Sequence, residues 1–142
     1  FLMLTFFVVI FTDIGAYYFG SKFGKRPLAP VISPKKTIEG SIGGTLTAII
    51  FGIIIGWVIN LPWYHSFVAS LIISAAAQLG DLSESLIKRD AGVKDSGNTL
   101  PGHGGFLDRC DSFIFAAPIA YYYFKFLIID KHYLFDLLKI LH

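Results

Sequence analysis

Long apolar runs separated by short polar ones dominate the chain. No Asp, Glu, Lys or Arg occurs between Ser41 and Gly80, and fifteen of the 22 charged residues fall within 21–36 and 81–111. A helix crossing about 30 Å of hydrocarbon needs about 20 mostly apolar residues. Four segments meet that length: Phe1–Gly20, Gly40–Asn60, Ser66–Lys88 and Arg109–Ile129. The pattern predicts an all-α polytopic membrane protein with about four transmembrane helices, one membrane-embedded region over 1–142. The uncharged "LPWYH" at 61–65 separates the second and third spans. Its Pro62 breaks the helix, and Trp63 and Tyr64 suit the membrane–water interface. Pro118 removes a backbone donor inside the fourth span and predicts a kink there. In the second span, "GSIGG" and the Gly52/Gly56 pair let another helix approach closely, as small-xxx-small patterns do. The same pair permits a homodimer. The tail from Asp130 to His142 is too short and too charged to span and is expected at the surface.

Composition agrees with this pattern. Hydrophobic residues make up 54% and charged residues 15%, against about 25% charged in a soluble domain, and mean hydropathy is +0.63. A net charge of +2 gives no support for a nucleic-acid partner. The single cysteine, Cys110, excludes an intrachain disulfide. The chain opens on Phe1 and is apolar at once, without the basic n-region and cleavage site of a signal peptide. It therefore reads as the later part of a longer membrane protein. Basic residues set the expected orientation. Lys22, Lys25, Arg26, Lys35 and Lys36 lie in one loop, Lys88, Arg89, Lys94 and Arg109 border the other, and 61–65 has none. The positive-inside rule puts both basic loops in the cytoplasm, and the compact loops suggest a bacterial plasma membrane.

The charges inside the spans carry the chemistry. At 100° per residue, Ser74, Gln78, Asp81, Ser85 and Lys88 fall within about 80° of one another, with Glu84 at the edge of that stripe. Such a stripe must face protein or water. Asp81, seven residues before Lys88, is buried by roughly 10 Å, and Asp13, nine before Lys22, by roughly 13 Å. Asp108, Asp111 and Ser112 share a face of the fourth span. All four aspartates belong to the cytoplasmic half and can converge in one cavity. A hard divalent cation makes such a cluster tolerable, since magnesium takes carboxylate oxygens and completes its shell with water and substrate phosphates. Asp81, Asp108 and Asp111 are the candidate ligands. The plainer alternative pairs Asp81 with Lys88 or Arg89, and Asp111 with Arg109.

The loop "KRDAGVKDSGNTLPGHGG" is cationic at its start and glycine-rich at its end. Gly102, Gly104 and Gly105 let the backbone approach an anion, and His103 can donate to a phosphate oxygen. There is no Walker lysine pattern, GxGxxG fingerprint, GxSxG elbow, HExxH or CxxC pair, so a triad hydrolase is not indicated.

Taken as one string, "SLIKRDAGVKDSGNTLPGHGGFLDRCD" (Ser85 to Asp111) resembles the signature of the phosphatidate cytidylyltransferases, also called CDP-diglyceride synthases. Ser85, Lys88, Arg89, Lys94, Asp95, His103, Gly104, Gly105, Asp108, Arg109 and Asp111 stand in register with it. Cys110 departs from the aliphatic, Phe or Thr usual there. Upstream, "TDIGAYYFGSKFGKRPLAPVISPKKTIEG" is similar to the family's Asp-containing span, basic loop and Ser-Pro-Lys-Lys-Thr segment.

The resemblance implies transfer of the CMP moiety of CTP to phosphatidate, giving CDP-diacylglycerol and pyrophosphate, with magnesium required and room for a second cation. It implies catalytic roles for Asp81, Asp108, Asp111, Lys88 and Arg109, the three aspartates holding the metal. Lys35, Lys36, Arg89, Lys94, His103, Gly104 and Gly105 are the expected substrate-binding residues. The role of Asp13 stays open between tuning the cavity and meeting a second cation. The nearest competing reading is another CTP-dependent membrane lipid enzyme, a polyprenol or phytol kinase. An ion transporter is disfavoured, because the non-cytoplasmic halves of the spans are almost wholly apolar.

Overall fold

The fold was obtained as a computed structural model, which describes residues 1–92 and 107–129. In chain order it contains α1 (Leu2–Phe23), β1 (Pro27–Ala29), β2 (Ser33–Thr37), α2 (Ile38–Val58), α3 (Trp63–Asp90) and α4 (Leu107–Phe124), which runs into a π-helical segment, Lys125–Ile129. The molecule is an all-α polytopic membrane protein with one short hairpin added. Among the described residues, α1, α2 and α3 are long and apolar enough to cross a membrane. The fourth expected span is α4, shorter and charged in its opening turns; it continues through Pro118 to Phe124.

Helix α2 shows why this sequence packs as it does. Its large residues Ile42, Leu46, Ile50, Ile54 and Trp57 are exposed, while Gly40, Gly43, Gly44, Ala48, Gly52 and Gly56 are buried. A soluble helix does the reverse. In lipid, the outer face gains nothing from being polar, and the inner face gains from backbones that come close. A Cβ on Gly44 would lie 2.6 Å from the Thr12 carbonyl oxygen, so α1 and α2 touch backbone to backbone. Gly52 and Gly56 face Ser70 and Ser66 of α3. The pair that permits a homodimer is thus covered within one chain. Two hydroxyls at the α1–α2 seam are answered by their own helices: buried Thr12 Oγ1 donates to Val8 O at 2.7 Å and half-buried Thr47 Oγ1 to Gly43 O at 2.7 Å, which removes the cost of leaving them bare.

Helix α4 closes the bundle on its other side. A Cβ on Gly80 would lie 2.7 Å from Asp111 O and 3.2 Å from the Phe115 ring, so α4 seats directly on the α3 backbone. Phe113 stacks on Phe6 of α1, and Phe124 on Phe1 just before it, with centroids 5.7 and 4.4 Å apart. The core between the helices is formed by Leu4, Val8, Val9, Ala69, Ile73, Ala77, Ala116 and Ala120. At the far end α2 turns into α3 through Asn60, at φ 56°. Leu61 tucks in, while Trp63 and Tyr64 stay exposed, as interfacial aromatics should.

The loop between the first two spans holds the antiparallel hairpin, with Pro27 paired to Thr37 and Ala29 to Ser33. It is tied at both ends. Glu39 accepts from the Lys25 and Arg26 backbone N–H groups at 3.1 and 3.2 Å. Thr37 caps α2, its Oγ1 accepting from Gly40 N–H. At the tip, Arg89 Nε donates to Ile32 O at 3.3 Å, fastening the hairpin to the end of α3.

Candidate active site

A cavity of about 460 Å³ lies between α1, the hairpin, α2 and α3. Asp13 and Tyr17, one helical turn apart on α1, form one wall. Lys35 and Lys36 come from β2, and Gln78 and Asp81 from α3. Gln78 is held by α2: its Oε1 accepts from Ser41 Oγ, and its Nε2 donates to Thr45 Oγ1 at 2.9 Å. Ser74 Oγ reaches the same Thr45 hydroxyl at 3.4 Å. The polar stripe on α3 therefore faces protein and cavity.

Asp81 also belongs to a second group. One oxygen each of Asp81, Glu84 and Asp111 lie within 4.8 Å of one another. The spacing i, i+3 puts Asp81 and Glu84 on one side of α3, and the bare backbone at Gly80 lets Asp111 arrive opposite them. Lys36 Nζ forms an ion pair with Asp81 Oδ2. Lys88 Nζ pairs with Glu84 Oε2 at 2.9 Å, whereas Glu84 Oε1 is buried with no hydrogen-bond partner. Asp111 Oδ1 accepts from Ser112 N–H at 2.6 Å and from Ser112 Oγ at 3.3 Å. Three carboxylates thus meet two lysines. The donor set is all oxygen, carries excess negative charge and includes one unanswered buried oxygen, which fits a hard divalent cation.

Of the residues expected from sequence, Asp81 and Asp111 come together, and Lys36 joins them. Lys35 faces the cavity from an exposed position. The expected alternative pairing of Asp81 with Lys88 or Arg89 does not occur. Asp81 takes Lys36, Lys88 takes Glu84, and Arg89 binds the hairpin carbonyl. The β-strand reaches over the end of α3 and supplies the nearer ammonium. Lys94, His103, Gly104 and Gly105 lie outside the described residues. Asp108 and Arg109 fall in the opening turn of α4, with their side chains likewise outside. Sequence reasoning missed Glu84 as a member of the cluster and Tyr17 as a cavity wall.

The description "Cytidylyltransferase family" belongs to a family model that matches residues 1–127. The chain belongs to this family. Phosphatidate cytidylyltransferases of Synechocystis sp., Staphylococcus haemolyticus and Bacillus subtilis are 46%, 50% and 50% identical to it over 123, 121 and 117 residues. Those matches cover 85%, 84% and 81% of this chain and 42%, 46% and 44% of the relatives. The chain therefore spans less than half the length of the curated relatives it matches. A solved intramembrane enzyme for archaeal membrane lipids biosynthesis shares the fold, with a TM-score of 0.59 at 22% identity, over 80% of this chain and 73% of that one.

Proposed function

We propose that residues 1–142 are the membrane-embedded catalytic region of a phosphatidate cytidylyltransferase, which transfers the CMP moiety of CTP to phosphatidate and releases pyrophosphate. The observation that carries this reading is Asp81, shared between a three-carboxylate cluster and a cavity lined by two lysines. The names of the bacterial relatives support it.

Asp81, Asp108 and Asp111 hold the cation, magnesium by the chemistry of the donor set. Bound there, it would supply neutralisation of the charge on the phosphates. The phosphatidate phosphate is the nucleophile. Its second pKa is about 6, so it is largely dianionic at neutral pH and no protein base is required. One of its oxygens bonds to the α-phosphorus of CTP as the α–β anhydride bond breaks and pyrophosphate leaves. The protein's task is then in-line positioning and charge compensation. Lys35 and Lys36 receive the lipid phosphate from the hairpin side. Lys88, Arg89, Lys94 and Arg109 neutralise the triphosphate, and His103, Gly104 and Gly105 shape the nucleotide loop. Both basic loops face the cytoplasm of a bacterial plasma membrane, where CTP is available.

The test uses the full-length protein in detergent with magnesium, α-labelled CTP and phosphatidic acid, beside Asp108→Asn and a polyprenol acceptor. Label in CDP-diacylglycerol with release of pyrophosphate, lost in the folded variant, is the expected result. Transfer to polyprenol alone, or no lipid label from folded protein, overturns it.

A further inference from the structure

Among the described residues, Glu84 is the least accessible charged group of the site, at 7% exposure. It lies on the α3 face that packs inward, where Ser70, Ile73, Ala77 and Gly80 precede it at alternating steps of three and four. Only one of its oxygens is answered. Lys88 holds Oε2 at 2.9 Å, while Oε1 is buried without a hydrogen-bond partner. An ionised oxygen left bare away from water is costly unless a cation or donor meets it. What lies next to it is two more carboxylates. The neighbouring carboxylates of Asp81 and Asp111 place an oxygen within 4.8 Å of one of its own, and Asp81 already takes Lys36.

We infer that Glu84 is a direct carboxylate donor to the divalent cation at the Asp81–Asp111 site, and that Lys88 positions it there by holding the other oxygen. This rests on the metal reading given above. It adds a donor that the aspartates do not include. A plain helix-surface pair at i, i+4 would leave Glu84 exposed and both oxygens solvated. Here the lysine reaches inward to a buried carboxylate, fixing its rotamer and leaving one oxygen for the cation. Such outer partners commonly alter metal affinity by about 10–100-fold.

The experiment titrates full-length protein in detergent with Mn²⁺ as a spin-active stand-in, without nucleotide, and reads bound metal by electron paramagnetic resonance. Wild type, Glu84→Gln, Glu84→Asp, Lys88→Gln and Asp111→Asn are compared after each is shown to be folded by thermal unfolding. Glu84→Gln is expected to weaken Mn²⁺ binding at least about tenfold, with partial recovery in Glu84→Asp. Lys88→Gln should alter the Mn²⁺ spectrum and affinity, which a purely structural lysine would not do. Mn²⁺ binding by Glu84→Gln equal to wild type, while Asp111→Asn loses it, overturns the inference, as does a wild type that binds no Mn²⁺. Cytidylyl transfer is assayed on the same preparations. A wild type that forms product while Glu84→Gln keeps full Mn²⁺ affinity removes Glu84 from the site and leaves the proposed function standing. A wild type that binds metal through Glu84 yet forms no product does the opposite.

Discussion

Asp81 is where the chemistry of this chain concentrates, because one carboxylate serves two environments. Towards the cavity it neutralises Lys36, and towards α4 it joins Glu84 and Asp111. Replacing Asp81 with Asn should lower kcat by about 100-fold or more, since it removes a ligand and frees Lys36 from its counter-charge together. Steady-state assays with both substrates saturating check this. Lys36→Met should act differently, raising KM for phosphatidate about tenfold while KM for CTP stays near wild type, because an ammonium offered to one phosphate oxygen is worth about 1.5–3 kcal/mol. EDTA should abolish activity and excess Mg²⁺ restore it. At this scale the aspartates were legible from their depth in apolar spans. Glu84 was not placed among them because the stripe was centred on polar residues. Helix α3 instead packs by its small residues, Ala77 and Gly80 above all, and Glu84 lies in the middle of that face.

At the scale of elements, the spans were legible because charge-free runs of about twenty residues have few alternatives in lipid. The hairpin was not. "SPKKT" lacks the alternation of a half-buried strand and contains a proline, so nothing local distinguishes β2 from a basic loop. Its order comes from elsewhere, from Glu39 at its base and Arg89 at its tip. The seating of α4 on α3 gives an element-scale prediction. Gly80→Leu should drive α4 off the α3 backbone and cost about 1–3 kcal/mol, a typical overpacking cost. It should also separate Asp111 from Asp81 and so remove activity. Unfolding in mixed micelles, with Mn²⁺ binding read in parallel, checks both parts. Gly92 has open space around it, but a left-handed φ of 70°, so it makes a poor control. An outward residue such as Ile50→Leu is the better one.

For the whole molecule, the arrangement predicts which ends meet which compartment. In a Cys110→Ser background, Lys25→Cys should react with an impermeant maleimide only after cells are opened, and Tyr64→Cys should react in intact cells. The opposite labelling would reverse the proposed orientation. The hairpin adds something about depth. A two-stranded ribbon has two outer edges whose N–H and C=O groups have no strand beside them, and hydrocarbon cannot satisfy such groups. Wherever the bundle sits, then, the hairpin marks the waterline, and lipid tails end below Pro27 and Thr37. The cavity beneath it, lined by Asp13 and Gln78 among others, then lies below the level at which the lipid tails end. A lipid phosphate would have to sink only slightly to reach it, while its acyl chains stayed in the oil outside.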